Sequence, residues 1–122
     1  MTNETFHKSL LYRRLIQPLR HSAAGLAFAW RSEEAFRIEV LLCVLLVPMA
    51  LVLEPTWQGR LWLIGSLILV LIVELLNTAI EKLVDRISLE SHELSKAAKD
   101  VGSAAVGLSL LWAVCVWIVV LL

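Results

Sequence analysis

Residues 101–122 read VGSAAVGLSLLWAVCVWIVVLL, without one charged side chain. That length meets the roughly 20 residues a helix needs to cross the hydrocarbon core of a bilayer. Hydrocarbon offers no water to backbone N–H and C=O groups, so a spanning segment must be helical or part of a closed barrel. A continuous apolar run is the helical case, and it restricts the fold more than any other feature of the chain. Two further runs extend the pattern. Residues 61–81 have spanning length, with Glu74 and Asn77 interrupting them near the far end. Residues 39–54 hold VLLCVLLVPMALVL, which includes Pro48 and reaches spanning length by continuing upstream into AFRIE. The short stretch EPTWQGR joins this run tightly to the next.

The expected fold is an all-α membrane protein: an N-terminal amphipathic surface helix followed by three transmembrane helices. Its 122 residues make one domain, with residues 1–38 cytoplasmic and interfacial, spans at 39–54, 61–81 and 101–122, and a cytoplasmic loop at 82–100. A hydrophobic content of 59% agrees, since soluble domains are roughly 45–50% apolar. Residues 1–20 have no apolar core and no small-residue cleavage site, so the apolar runs are read as permanent anchors. Cys43 and Cys115 fall inside those runs, where a thiol packs as a small hydrophobe.

Charge position carries more information than charge balance. Lys plus Arg and Asp plus Glu stand at 11 each, which gives no bulk attraction to nucleic acid. Lys8, Arg13, Arg14, Arg20, Arg31 and Arg37 precede the first span, Arg60 alone lies in the first connection, and Lys82, Arg86, Lys96 and Lys99 fall between the second and third. By the positive-inside rule, the N-terminus and the second loop are cytoplasmic. Ahead of the first span, Ala23, Leu26, Ala27 and Trp30 recur at i, i+3, i+4 and i+7, the pattern of a helix lying in the membrane interface with Trp30 at headgroup level. Pro18 is expected to separate it from a shorter N-terminal piece.

Glu74, Asn77, Thr78, Glu81 and Asp85 are spaced i, i+3, i+4, i+7 and i+11, so they stack on one face of a helix that climbs out of the bilayer. An acid in the membrane costs on the order of 2.5–3.5 kcal/mol on insertion scales, which calls for a partner or a function. Polar bonding between helices is the plainer explanation for Asn77 and Thr78. Lys96, Lys99, Asp100 and Ser103 share a face at the entry to the third span, beside Gly102, Ala104 and Ala105, small residues that permit close helix approach. Glu33, Glu34, Arg37 and Glu39 add charge at the same level, where an i, i+4 pair of Glu33 with Arg37 is the plainer reading.

Carboxylates of this kind suit Mg²⁺, which takes few protein oxygens together with nucleotide phosphates, and a lysine can offset charge on a transferring phosphoryl group. No run of His and Cys suggests zinc, and neither a P-loop nor the protein-kinase motif set is present.

Three segments, AAGLAFAWRSEEAFRIE, VELLNTAIEKLVDR and HELSKAAKDVGSAAV, resemble the small integral-membrane prokaryotic diacylglycerol kinases, with undecaprenol kinase as the close relative. The likeness runs from about Arg14 to the third span. It implies a homotrimer with active sites shared between subunits in the bacterial inner membrane, moving the γ-phosphate of MgATP to a lipid hydroxyl. Glu74 would then be the general base, supported by Asn77, with Glu33 and Glu81 as metal ligands and Lys99 at the γ-phosphate. Arg14, His21, Asp85, Glu90, Ser91, His92 and Asp100 would complete the nucleotide side together with Glu33 and Glu81. Arg14, Trp30, Glu39, Glu74 and Ser103 would meet the lipid. Two positions depart from the family's pattern: His21 stands where a tyrosine is found, and Ala27 where an arginine is common.

Diacylglycerol is the expected acceptor and undecaprenol the alternative. A proton-coupled transporter using Glu74 and a purely structural membrane subunit are the readings from other classes. Neither needs Lys99 or a metal pair. In the kinase reading, Glu33 or Glu81 is expected to face Lys99 of a neighbouring subunit.

Overall fold

The computed structural model describes residues 2–87 and 92–122, and these are helical nearly throughout. They fall into two compact units, one ending at Ser32 and the other running from Glu33 to Leu122.

The first unit contains α1 (Asn3–Leu11), a π-helical turn (Tyr12–Ile16) and α2 (Gln17–Ser32). The chain does not break at Pro18 as expected; it continues as helix through it. A proline inside a helix clashes with the carbonyl four residues earlier, here in the Tyr12–Ile16 stretch, and the wider π turn there accommodates the ring. The turn is held across its length by Arg20, whose Nη1 donates to the Tyr12 hydroxyl at 2.7 Å.

The second unit is built from α3 (Glu34–Leu53), α4 (Trp57–Ile87) and α5 (Glu93–Leu121), each long and apolar enough to cross a membrane. At 1.5 Å per residue, the 20 residues of α3 match a hydrocarbon core of about 30 Å. The 31 residues of α4 extend about 46 Å, so this helix must protrude from the bilayer. It is also the central element. The apolar window of α4 is 39% buried, against 11% and 17% for those of α3 and α5, and α4 packs on both neighbours. Leu41, Val44, Leu45, Leu108, Leu111 and Val119 point outward, which suits a lipid environment. Cys43 is half-buried, Cys115 faces outward, and both thiols are free.

The end of the bundle near the α3–α4 connection is closed by Ala50, Leu63 and Val116, with Trp117 packed against them. Trp117 Nε1 donates to the Leu63 carbonyl at 3.2 Å, tying α5 to α4. In the connection, Glu54 Oε1 accepts from the Thr56 hydroxyl at 2.8 Å, and Arg60 Nε donates to the Glu54 carbonyl at 2.7 Å. Arg60 also stacks over the Trp57 ring, 4.7 Å from its centroid. The opposite end, where α3 begins and α4 and α5 meet, carries the charged groups.

Candidate functional site

One face of α4 positions the site. Leu63, Ser66, Leu67 and Val70 line it, and the same face continues as Glu74, Asn77 and Thr78, all buried. Glu74 is only 6% exposed. Glu81 lies half-buried one turn beyond, and Asp85 is exposed at the helix end. The 3.6-residue period has thus put an apolar seam and a polar stripe in one register, both turned toward the neighbouring helices.

Glu39 of α3 meets this stripe. Glu39 Oε2 is buried there without a hydrogen-bond partner. Glu33, at the start of α3, and Glu81 both lie near enough for their charges to act on Glu74. Carboxyl groups from α3 and from successive turns of α4 therefore share this end of the bundle. Their mutual repulsion is a cost that a cation placed among them would offset. Lys82 supplies part of that charge, its Nζ standing 3.2 Å from Glu33 Oε1.

Asn77 bridges α4 to α5. Its Nδ2 donates to Glu81 Oε1 at 3.4 Å, and its Oδ1 is buried without a hydrogen-bond partner. That oxygen rests against Gly102 of α5, where a Cβ would collide with it. Higher up, Lys99 Nζ donates to Asp85 Oδ1 at 2.7 Å, with both side chains half-exposed. Lys96 makes an exposed i, i+4 pair with Asp100, also at 2.7 Å. His92 begins α5, and its Nδ1 accepts from the Leu94 N–H at 3.1 Å as a helix cap.

The bundle therefore brings together Glu33, Glu39, Glu74, Asn77 and Glu81, and sets Asp85, Lys99, Asp100 and His92 at the same end. Lys99 pairs within its own chain, with Asp85. Ser103 lies on the exposed side of α5, one residue from the buried Gly102. Arg14 sits in the π turn, and His21 and Trp30 on α2, all in the first unit. Glu90 and Ser91 lie outside the described residues. Two contributors escaped the sequence reading. Lys82 was visible only as a charge beside Glu81, and Gly102 only as one of several small residues.

Among the described residues, no group of three or more His, Cys, Asp or Glu side chains is arranged to hold a metal ion. Mg²⁺ commonly takes one or two carboxylates and completes its shell with water and phosphate oxygens. Glu33 and Glu81, hard oxygen donors in a carboxyl-rich group, fit that requirement.

An apolar groove of about 380 Å³ runs beside the site, between α3 and α5 over the α4 seam. Glu39 lies at its charged end, and Leu46, Trp117 and Ile118 line it farther along.

The family model described as prokaryotic diacylglycerol kinase matches residues 20–121. The chain is 47% identical over 110 residues to the diacylglycerol kinase of Pseudomonas aeruginosa, covering 90% of this chain and 89% of that protein. It is 46% identical over 110 residues to the diacylglycerol kinase of Escherichia coli K12, covering 90% of each. With the diacylglycerol kinase of Haemophilus influenzae it shares 41% over 111 residues, covering 91% of this chain and 94% of the relative.

Proposed function

The chain belongs to the prokaryotic diacylglycerol kinase family, and we propose that it transfers the γ-phosphoryl group of ATP to the free hydroxyl of membrane diacylglycerol, forming phosphatidic acid. The observation that carries this reading at the level of the site is the buried Glu74, with Glu81 and then Asp85 following it along α4 and Lys99 of α5 paired with Asp85. The relatives' shared name favours diacylglycerol over undecaprenol, and neither a transporter nor a structural subunit accounts for that kinship.

In the proposed mechanism, Glu74 accepts the proton of the lipid hydroxyl. The oxygen lone pair forms a bond to the γ-phosphorus as the bond from that phosphorus to the β,γ-bridging oxygen breaks, and ADP departs with the bridging electrons. Lys99 exchanges its Asp85 contact for a γ-phosphate oxygen. Mg²⁺, held by Glu33 and Glu81, would supply positive charge to the phosphates. Asn77 keeps Glu81 in place through its Nδ2. Asp85, Asp100, His92, Glu90 and Ser91 border the nucleotide together with Arg14 and His21. Arg14, Trp30, Glu39, Glu74 and Ser103 meet the lipid, whose acyl chain has an apolar path in the groove beyond Glu39.

Alignment is the main requirement of phosphoryl transfer, and these groups are spread over several helices. A homotrimer in which neighbours complete one another's sites meets that requirement. The distribution of Lys and Arg supports a cytoplasmic N-terminus and a cytoplasmic α4–α5 connection in the inner membrane, where ATP is available.

The test is purified protein in mixed micelles with MgATP and either diacylglycerol or undecaprenol. Phosphorylated diacylglycerol is the expected product. No phosphorylated lipid from either acceptor, with the assembly intact, would overturn the kinase reading.

A further inference from the structure

The first unit has an apolar surface that its own residues leave uncovered. Leu11, Leu15, Leu19, Leu26 and Trp30 are all exposed, Leu19 by 69%, and no residue of α1 or of the π turn is buried. A helix without packing partners is marginal in water, and its stability comes from burying an amphipathic face. This one needs a surface to lie against.

The π turn gives that face its shape. Leu11, Leu15, Leu19 and Ala23 recur every four residues, and Leu26 and Trp30 follow at steps of three and four. At 3.6 residues per turn, each four-residue step drifts by about 40° around the axis, which in a regular helix would carry Leu19 well away from Leu11. The π turn at Tyr12–Ile16 falls between them. Its wider coil, closed by i→i+5 bonds, winds less per residue and takes back much of that drift. One apolar stripe therefore runs from Leu11 to Trp30.

Charge matches the stripe to one kind of surface. The chain as a whole carries 11 basic and 11 acidic residues, yet residues 1–20 hold Lys8, Arg13, Arg14 and Arg20 against Glu4 alone. Arg14 precedes Leu15 and Arg20 follows Leu19, so the two lie roughly a quarter turn from the stripe on opposite sides. Long basic side chains at the edge of an apolar face lay their stems along it and hold their charges at headgroup level. Arg20 gives one of its several N–H groups to the Tyr12 hydroxyl, and a guanidinium has others to offer a phosphate.

We propose that residues 3–19 dock on the bilayer surface and recognise anionic phospholipid: the stripe enters the interface, and Lys8, Arg13, Arg14 and Arg20 meet the headgroup phosphates. The segment precedes residues 20–121, which the family model matches, and the proposal does not rest on the kinase reading.

The test places the intact protein in nanodiscs of phosphatidylcholine alone, or of phosphatidylcholine with phosphatidylglycerol, and reads backbone hydrogen exchange across residues 3–19. Each basic residue near an anionic surface favours docking by about fivefold, so phosphatidylglycerol should slow exchange by more than about 100-fold at low salt. At about 1 M salt, where charges are screened within a few ångströms, the two discs should converge, a comparison that needs no substitution. Lys8→Gln/Arg13→Gln/Arg20→Gln should reduce the phosphatidylglycerol effect to about fivefold, the share of the one remaining arginine. Leu15→Ser/Leu19→Ser should speed exchange in both discs. Equal exchange in the two discs at low salt, or a difference that neither salt nor the triple variant reduces, would overturn the recognition of anionic headgroups. Protection that survives Leu15→Ser/Leu19→Ser would put the segment against protein and overturn docking on lipid.

Discussion

The two ends of the three-helix unit use the same helices in the same register and solve opposite problems. Near the α3–α4 connection, Ala50, Leu63 and Val116 fill the space between helices, and the polar atom brought there, Trp117 Nε1, reaches the Leu63 carbonyl. At the other end the same α4 face carries Glu74 and Asn77, and Glu39 Oε2 and Asn77 Oδ1 are buried without hydrogen-bond partners. Interiors rarely leave such groups unsatisfied, because each costs about 1–3 kcal/mol. The first end is arranged for stability. The second keeps polar capacity for something that arrives during turnover.

The sharpest way to break this comparison is Glu74→Gln, an isosteric change that removes the proposed base. General base catalysis contributes roughly 10²- to 10⁴-fold, so kcat should fall by that much in the mixed-micelle assay. Thermal unfolding in detergent should shift little, since the neutral amide carries no buried charge. A variant that unfolds with no prior loss of turnover would place Glu74 with the packing residues instead.

Leu63→Ala is the converse. Leu63 is fully buried, and its truncation leaves a hole between α4 and α5. In lipid the loss is of packing contacts, since the bilayer is itself apolar, and should be on the order of 2 kcal/mol. The unfolding midpoint should fall, while kcat of the folded fraction stays near that of the unaltered protein. A fall in kcat at full folding would mean that the two ends are not separable.

How much of this division could be read from the residues follows from the range of each signal. The three spans were legible because crossing hydrocarbon imposes a length and an absence of charge, both properties of contiguous sequence. The stripe from Glu74 to Asp85 was legible because helical period is local. The Lys82–Glu33 pair was not, since it depends on how α3 sits against α4, a packing choice with no local signature. The particular pairing of Lys99 with Asp85, 14 residues earlier, was not legible either, because it depends on how α5 packs on α4. Pro18 was misleading for a different reason. The rule that proline breaks a helix assumes α geometry before it, and a π turn removes the clash.

Gly102 shows the same limit and supplies the third test. Among the small residues at the start of α5, Gly102 is buried while Ser103, Ala104 and Ala105 face outward. Gly102→Ala should push Asn77 away and loosen its hydrogen bond to Glu81. Overpacking of about 1–3 kcal/mol is typical, and a loss of roughly tenfold in activity, accompanied by a raised Mg²⁺ half-saturation, is expected. Gly107→Ala, where a Cβ meets open space in this chain, is the control and should leave Mg²⁺ dependence unchanged. Matching effects at both glycines would point to general helix crowding.

The smallest effect should come from Lys82. Its ammonium pairs with Glu33 while the side chain remains 49% exposed, and exposed pairs contribute about 0–1 kcal/mol. If Glu33 is a metal ligand, Lys82 competes with the ion for that carboxylate. Lys82→Ala should therefore lower the Mg²⁺ concentration needed for half-maximal turnover, by no more than about fivefold, the factor equivalent to 1 kcal/mol. The unfolding midpoint should hardly move. A higher Mg²⁺ requirement would show that Lys82 helps to assemble the site, and the charged end would then depend on internal ion pairing more than its unpartnered oxygens suggest.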